Sequence, residues 1–272
     1  MSLVLLSCTQ GSHAAMLPPD SNVVYRQKVT LACDTYNLSA ERITSWKNDD
    51  SVIILAVSGK DATGFDKFTL ETSRGEKYVI HLPNDNTIYV NSMSSIAFNP
   101  QAPNFFYIES GEVLIDMKQN SKIYITPKLF IWALSGTRLN VKHYDANLST
   151  YTDLCFLRGE AKAVMEKTER ILHAELTYTY TNAGLAGIDT DTTDAKAWVN
   201  ESFNYRSIGY NYLVKRIADW YRKEVVFKDK IPQSHISFNG FFSEPLAVVL
   251  SRLNDKRKKT QCRIESDKLI VE

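Results

Sequence analysis

The sequence is poor in the residues that build metal and redox centres. Four cysteines (Cys8, Cys33, Cys155 and Cys262) and five histidines (His13, His81, His143, His173 and His235) are scattered singly over 272 residues. No two cysteines form a CxxC, and no histidine stands at zinc-ligand spacing from one, so the pattern argues against a metal site. Disulfide pairing is left open, because bridging depends on geometry that spacing does not give. Excess charge is missing too: 32 basic against 31 acidic residues leave a net +1, which calls for no nucleic acid or other polyanionic partner. Long apolar runs are absent. Val52–Val57 has six residues, where a membrane-spanning helix needs ~20.

Catalytic signatures are missing as well. There is no GxSxG, no HExxH and no glycine-rich phosphate loop ahead of a helix. Acid–base chemistry needs two titratable groups gathered in a pocket. Glu109, Glu112 and Asp116 are at hand, but the even spacing of Glu112 and Asp116 is that of a solvated strand face. Neither catalysis nor a cofactor is expected.

What is present points to sheets. Aromatics make up 11% of the chain, with 14 tyrosines, which favours half-buried strands over a helical bundle. The start is ambiguous. Leu5–Cys8 (LLSC) has the form of a lipoprotein cleavage box, which would lipidate Cys8 and tether the chain to a membrane. Only seven residues precede that cysteine and none is basic, so a truncated signal is the other reading. Residues 9–22, small, polar and proline-bearing, read as a tether, and 1–22 together as signal remnant and tether.

From residue 23 to 180 short β-type runs alternate with turn residues at ~8–12-residue spacing, which predicts a β-sandwich or β-roll domain. One helix is expected near Ser39–Lys47, with Ser39 as cap and Ile43 and Trp46 on one face. Pro83–Asn86 predicts a hairpin turn with an asparagine in the left-handed region. Residues 181–196, rich in Gly, Thr and Asp, read as a linker. From 197 to 272 the period changes. Leu213, Ile217, Trp220 and Tyr221 share one helical stripe, and Leu246, Val249, Leu250 and Leu253 another. Strand-like runs around them give β-α-β, β-α-β-β, a small two-layer α+β domain. The fold class is therefore mainly β plus α+β.

Several runs resemble the FecR family of periplasmic anti-sigma regulators. Thr72–Asn91 (TSRGEKYVIHLPNDNTIYVN), Ser110–Met117 (SGEVLIDM), Leu134–Val141 (LSGTRLNV) and Phe156–Glu160 (FLRGE) follow that family's β domain in order and spacing. Ala197–Tyr205 (AWVNESFNY), Ile217–Tyr221 (IADWY), Glu224–Phe227 (EVVF) and Phe238–Phe241 (FNGF) follow its C-terminal domain, which is similar to the short N-terminal modules of secretins and TonB-dependent transducers. The family's cytoplasmic sigma-binding domain and transmembrane helix have no counterpart in these residues, so direct sigma binding is not carried over.

The resemblance implies a periplasmic, non-enzymatic relay. The C-terminal domain would receive the signalling module of a TonB-dependent outer-membrane transducer, and an extracytoplasmic-function sigma factor would respond indirectly. A small α+β domain presents sheet edges, and an added strand binds an edge through main-chain hydrogen bonds. The expected edges are Phe203–Arg206 and Leu269–Glu272, with Phe203, Tyr205, Leu269, Ile270 and Val271 as partner contacts. Gly75, Gly111, Gly136 and Gly159 are expected at turns, and Trp198 and Trp220 as core anchors, each with one indole hydrogen bond. Two further features are open. Tyr178 and Tyr180 alternate on one strand face and could stack sugar rings, the alternative being a tethered glycan-binding protein. The basic run Lys256–Lys259 reads as a solvated helix end or as a contact for anionic lipid or an acidic partner.

Overall fold

The computed structural model of the chain describes residues 24–33, 36–45, 52–54, 56–60, 66–99, 102–146, 149–166, 168–181, 184–189, 192–229, 234–256 and 260–272. Cys8, the tether 1–22 and the basic residues 257–259 lie outside them. Seventeen strands come first: β1 (Tyr25–Cys33), β2 (Tyr36–Thr44), β3 (Val52–Ile54), β4 (Ala56–Lys60), β5 (Asp66–Glu71), β6 (Glu76–His81), β7 (Thr87–Val90), β8 (Ser95–Phe98), β9 (Phe105–Asp116), β10 (Ser121–Thr126), β11 (Leu129–Ala133), β12 (Arg138–Ala146), β13 (Ser149–Arg158), β14 (Glu160–Met165), β15 (Thr168–His173), β16 (Leu176–Thr181) and β17 (Gly184–Asp189). Then follow α1 (Thr193–Ala197), β18 (Tyr205–Gly209), α2 (Tyr210–Trp220), β19 (Glu224–Phe227), β20 (His235–Phe238), α3 (Leu246–Lys256), β21 (Cys262–Glu265) and β22 (Lys268–Val271).

The first seventeen strands form two sheets joined through β9. The first sheet runs β3-β1-β2-β6-β7-β9-β12-β13-β16-β17. The second runs β4-β5-β8-β9-β10-β11-β14-β15. Residues 105–110 of β9 belong to the second sheet and residues 111–116 to the first. Alternation sets which side chains go inward. Ile80, Ile88, Phe106, Ile108, Val113, Ile115, Ile123, Ile131, Leu139, Val141, Leu154 and Phe156 are all buried in one cluster between the sheets. The mainly β expectation holds.

Two local expectations fail. Residues 39–44 are part of strand β2, not a helix, with β1 on one side and β6 on the other. Both faces of β2 are covered, so Ala40 enters the sheet core while Ile43, three residues on, packs on the opposite face. That opposition is what period two gives and period 3.6 does not. In the turn at 82–86 the left-handed residue is Asp85 (φ 63) rather than an asparagine. Asn86 is committed elsewhere: its Oδ1 accepts from the Lys118 and Gln119 amides and its Nδ2 donates to Ser121 Oγ.

The stretch read as a linker, 181–196, carries β17 and most of α1. β17 is the last strand of its sheet and pairs only with β16 among the described strands, an edge position where glycine is tolerated. Tyr178 lies across from Gly187, and its ring covers the space a side chain would fill.

The C-terminal part follows the expected order, β18-α2-β19-β20-α3-β21-β22. Leu213, Val214, Ile217 and Ala218 of α2, with Val249, Leu250 and Leu253 of α3, are buried in a second cluster. β18 pairs with β20, and β19, β22 and β21 form a three-stranded sheet in that order. No helix among the described residues is long and apolar enough to cross a membrane.

Candidate functional site at the domain seam

The outward face of the first sheet is covered by the C-terminal domain, and this seam gathers most of the unusual side chains. Cross-strand register lays out the face in rows. One row runs Glu41, Val79, Tyr89, Leu114, Asn140 and Cys155, and a neighbouring one pairs Glu112 with Lys142 and Asp153. Against them the C-terminal domain sets α1, Trp198, α2 and the loop at Phe242. Ile43 and Leu114 belong to the same buried cluster as Trp198, Phe203 and Trp220, so the seam has an apolar centre.

Glu112 is fully buried, which corrects the expectation of a solvated strand face; Asp116, on the same face four residues on, is partly exposed and pairs with Arg158. Strand alternation fixed which face Glu112 occupies, but the covering domain comes from more than eighty residues later. Its carboxylate is fully engaged. Oε2 accepts from Asn91 Nδ2 at 2.9 Å and meets Arg216 of α2, while Oε1 accepts from Asn140 Nδ2 at 3.0 Å with Lys142 Nζ 3.8 Å away. Burial pulls the Arg216 guanidinium down to about 10, so it stays charged at neutral pH beside its partner.

Lys77 is the second buried charge. Its ammonium donates to the Trp198 carbonyl at 2.8 Å and lies 3.8 Å from the ring centre of Phe242, with Trp198 and Trp220 at 5.2 and 5.3 Å. Aromatic faces attract a cation, more strongly once it is desolvated. Burial, and then the nearby Arg216 charge, hold the Lys77 ammonium well below its ordinary range. Asp219 of α2 is raised by burial, with Arg74 3.5 Å away opposing. Arg26 pairs across the seam with Glu201 and, on its own side, with Glu41.

The tryptophans are placed as the sequence predicted. Trp198 is buried and its Nε1 donates to Asn140 Oδ1 at 3.1 Å; Trp220 is buried, stacks on Phe242 at 4.4 Å and donates to the Phe242 carbonyl. Gly75, Gly111, Gly136 and Gly159 all have positive φ. Two of them matter here. A Cβ on Gly75 would come within 2.6 Å of the Trp220 carbonyl, across the seam, and one on Gly111 within 2.5 Å of Ser94 Cα. Lys77, Glu112 and Arg216 were missed by the sequence reading as site residues. The one signal for Glu112 was its place in the SGEVLIDM run.

The expected partner contacts need correction. Phe203, Tyr205, Leu269, Ile270 and Val271 are all buried core residues. β22 is the central strand of its sheet, flanked by β19 in parallel and β21 antiparallel, so Leu269–Val271 offers no edge. β18 does end its small sheet, but Phe203 and Tyr205 point into the core. Among the described residues the open edge lies on β19, which pairs only with β22. The amides of Glu224 and Lys228 donate to Asp267 and Val271, so by alternation the backbones of Val225 and Phe227 face away from β22. The opposite edge, β21, is partly closed, because the Asn254 side chain bonds both the amide and the carbonyl of Cys262.

The tyrosines proposed for sugar stacking are likewise occupied. Tyr178 is buried, packs edge-on against Phe156 and accepts from the His173 amide, while Tyr180 packs on the sheet core. Lys256 donates to the Ser237 carbonyl. Cys155 and Cys262 are buried free thiols, each pushed up by burial.

No family model matches the sequence, and no curated protein matches it. Solved structures do match in three dimensions, and two of them bear on the fold. They are crystal structures, at 2.50 Å and 1.65 Å resolution, of a candidate anti-sigma factor from Parabacteroides distasonis ATCC 8503. Each superposes with a TM-score of 0.63 at 15% identity, over 75% of this chain and 98% of theirs. The chain shares their fold.

Proposed function

We propose that this chain is a non-catalytic relay of sigma-factor regulation, working in the periplasm through protein contacts. Its C-terminal domain receives an extended segment of the signalling module of a TonB-dependent outer-membrane transducer, and its β domain passes the bound state towards an extracytoplasmic-function sigma factor. The carrying observation is the outward backbone of β19, which has no strand partner on that side among the described residues. Main-chain pairing at such an edge supplies affinity, and alternate side chains supply selectivity. The fold held in common with the candidate anti-sigma factor structures supports the same reading, as do the sequence runs that resemble the FecR family.

A calorimetric titration of the full chain with transducer signalling modules from the same genome tests this. Val225→Pro removes an outward amide and leaves the inward ladder intact, so it is expected to abolish binding while the far-UV spectrum and unfolding midpoint stay close to wild type. Saturable binding unaffected by Val225→Pro would move the contact off β19. No binding by any module, with the chain folded, would remove the transducer from the model.

A further inference from the structure

The seam carries more charge than the core beneath it. Between the two sheets the cluster is built of apolar side chains, with the Arg42–Glu76 pair and the His143–Thr152 hydrogen bond buried on the same inward face. Across the seam, among the described residues, three ion pairs join the domains (Arg26–Glu201, Arg74–Asp219 and Arg216–Glu112), and the Lys77 ammonium reaches a carbonyl on the far side. The seam is also incompletely filled. A groove of about 280 Å³ runs between Val79 and Tyr89 on one side and Val199 and Glu201 on the other. A hole of about 20 Å³ lies where Lys77, Arg216 and Asp219 converge, and a pocket of about 150 Å³ separates Asn140 and Asp153 from Asp194. Arg216 Nε is buried with no acceptor among the described residues.

Charges held this way favour water. Closing the seam strips hydration from Lys77, Glu112 and Arg216; the Glu112–Arg216 attraction repays only part of that cost, and Lys77 gains a carbonyl and aromatic faces while Arg216 repels it. Parting the domains rehydrates them, and the holes lower the packing that must be given up. Interfaces between domains of one chain commonly have this polar, transient character. A seam built to stay shut would carry apolar residues at 77 and 112, as the sheet core does at Ile80 and Ile115.

We propose that the two domains part along this seam as intact bodies, in equilibrium with the closed form, with Lys77 and the Glu112–Arg216 pair as the buried charges that favour opening. This holds whatever partner the C-terminal domain takes. Opening breaks the Trp198 indole bond to Asn140, which crosses the seam, and spares the Trp220 indole bond to Phe242, which lies within one domain.

The test is indole hydrogen exchange in the full chain, labelled at tryptophan nitrogen and followed by NMR. The Trp198 indole is expected to exchange at least tenfold faster than the Trp220 indole and the α2 amides. Lys77→Met, which is one heavy atom shorter and removes the charge, is expected to cut that ratio to threefold or less. Equal exchange of the two indoles in the wild type, at the rate of global unfolding, would overturn the proposal. An unchanged ratio in a folded Lys77→Met chain would overturn the role of the buried ammonium.

Discussion

At the residue scale, the seam turns on charges held out of water. Glu112→Ala would leave Arg216 buried without its carboxylate and is expected to cost about 3–5 kcal/mol in urea unfolding. Lys77→Met exchanges one hydrogen bond and the aromatic contacts for relief of a buried charge, and should change stability by no more than about 2 kcal/mol at neutral pH. The pH dependence separates the two. Lys77 has a folded pKa well below its unfolded value of 10.5, so between those values the unfolded chain binds more protons. Its contribution to stability therefore rises with pH across that window. Unfolding free energies measured from pH 7 to 9.5 should rise more steeply for the wild type than for Lys77→Met, and parallel curves would contradict the assignment. Glycines grade the same way. Gly136→Ala meets only its positive φ, with open space around it, and is expected to cost about 1–2 kcal/mol. Gly111→Ala also drives a methyl into Ser94 and should cost more than that by thermal melt. The turn glycines were readable from the sequence because turn conformation is a local demand, and both tryptophans because a large indole on an apolar stripe is buried whatever covers it, though their partners are distant in the chain. Glu112 was not, since a carboxylate on a strand face reads as solvated until the element that covers it is known.

At the element scale, α2 and α3 were legible because each carries an apolar stripe of helical period long enough to stand out. The edges were not. β21 and β22 read as a terminal hairpin, which would leave the last strand outermost. Instead β22 lies in parallel beside β19, and that crossover pairing places the chain's last strand in the middle. Long-range pairing of this sort leaves no mark on local periodicity. It also yields a sharp contrast between two prolines. Leu269→Pro interrupts a strand paired on both sides and is expected to unfold the C-terminal domain, seen as loss of near-UV signal from its aromatics. Val225→Pro, on the open side of β19, should leave that signal in place. Similar melting for the two variants would show that β19 is not an edge. β2 teaches a related point: Ser39 and the spacing of Ile43 favoured a helix locally, and six paired residues on β6 with nine on β1 overrode it.

At the scale of the whole molecule, one strand belongs to everything. β9 crosses from the second sheet to the first at Gly111, and the next residue is Glu112, the anchor of the seam. Its neighbours on either side of that crossing, Ile108 and Val113, are both buried in the core shared by the sheets. In mechanical terms β9 is a beam with its fulcrum at a glycine and its load applied one residue away. A change of force at Arg216 acts on a stiff element whose far end, at Phe105–Tyr107, sets the alignment of β10 in the opposite sheet. A displacement entering β9 beside Gly111 would reach first the strands paired along it, and the β9–β10 end, on the far side of the sandwich, is where a response to the seam would be sought.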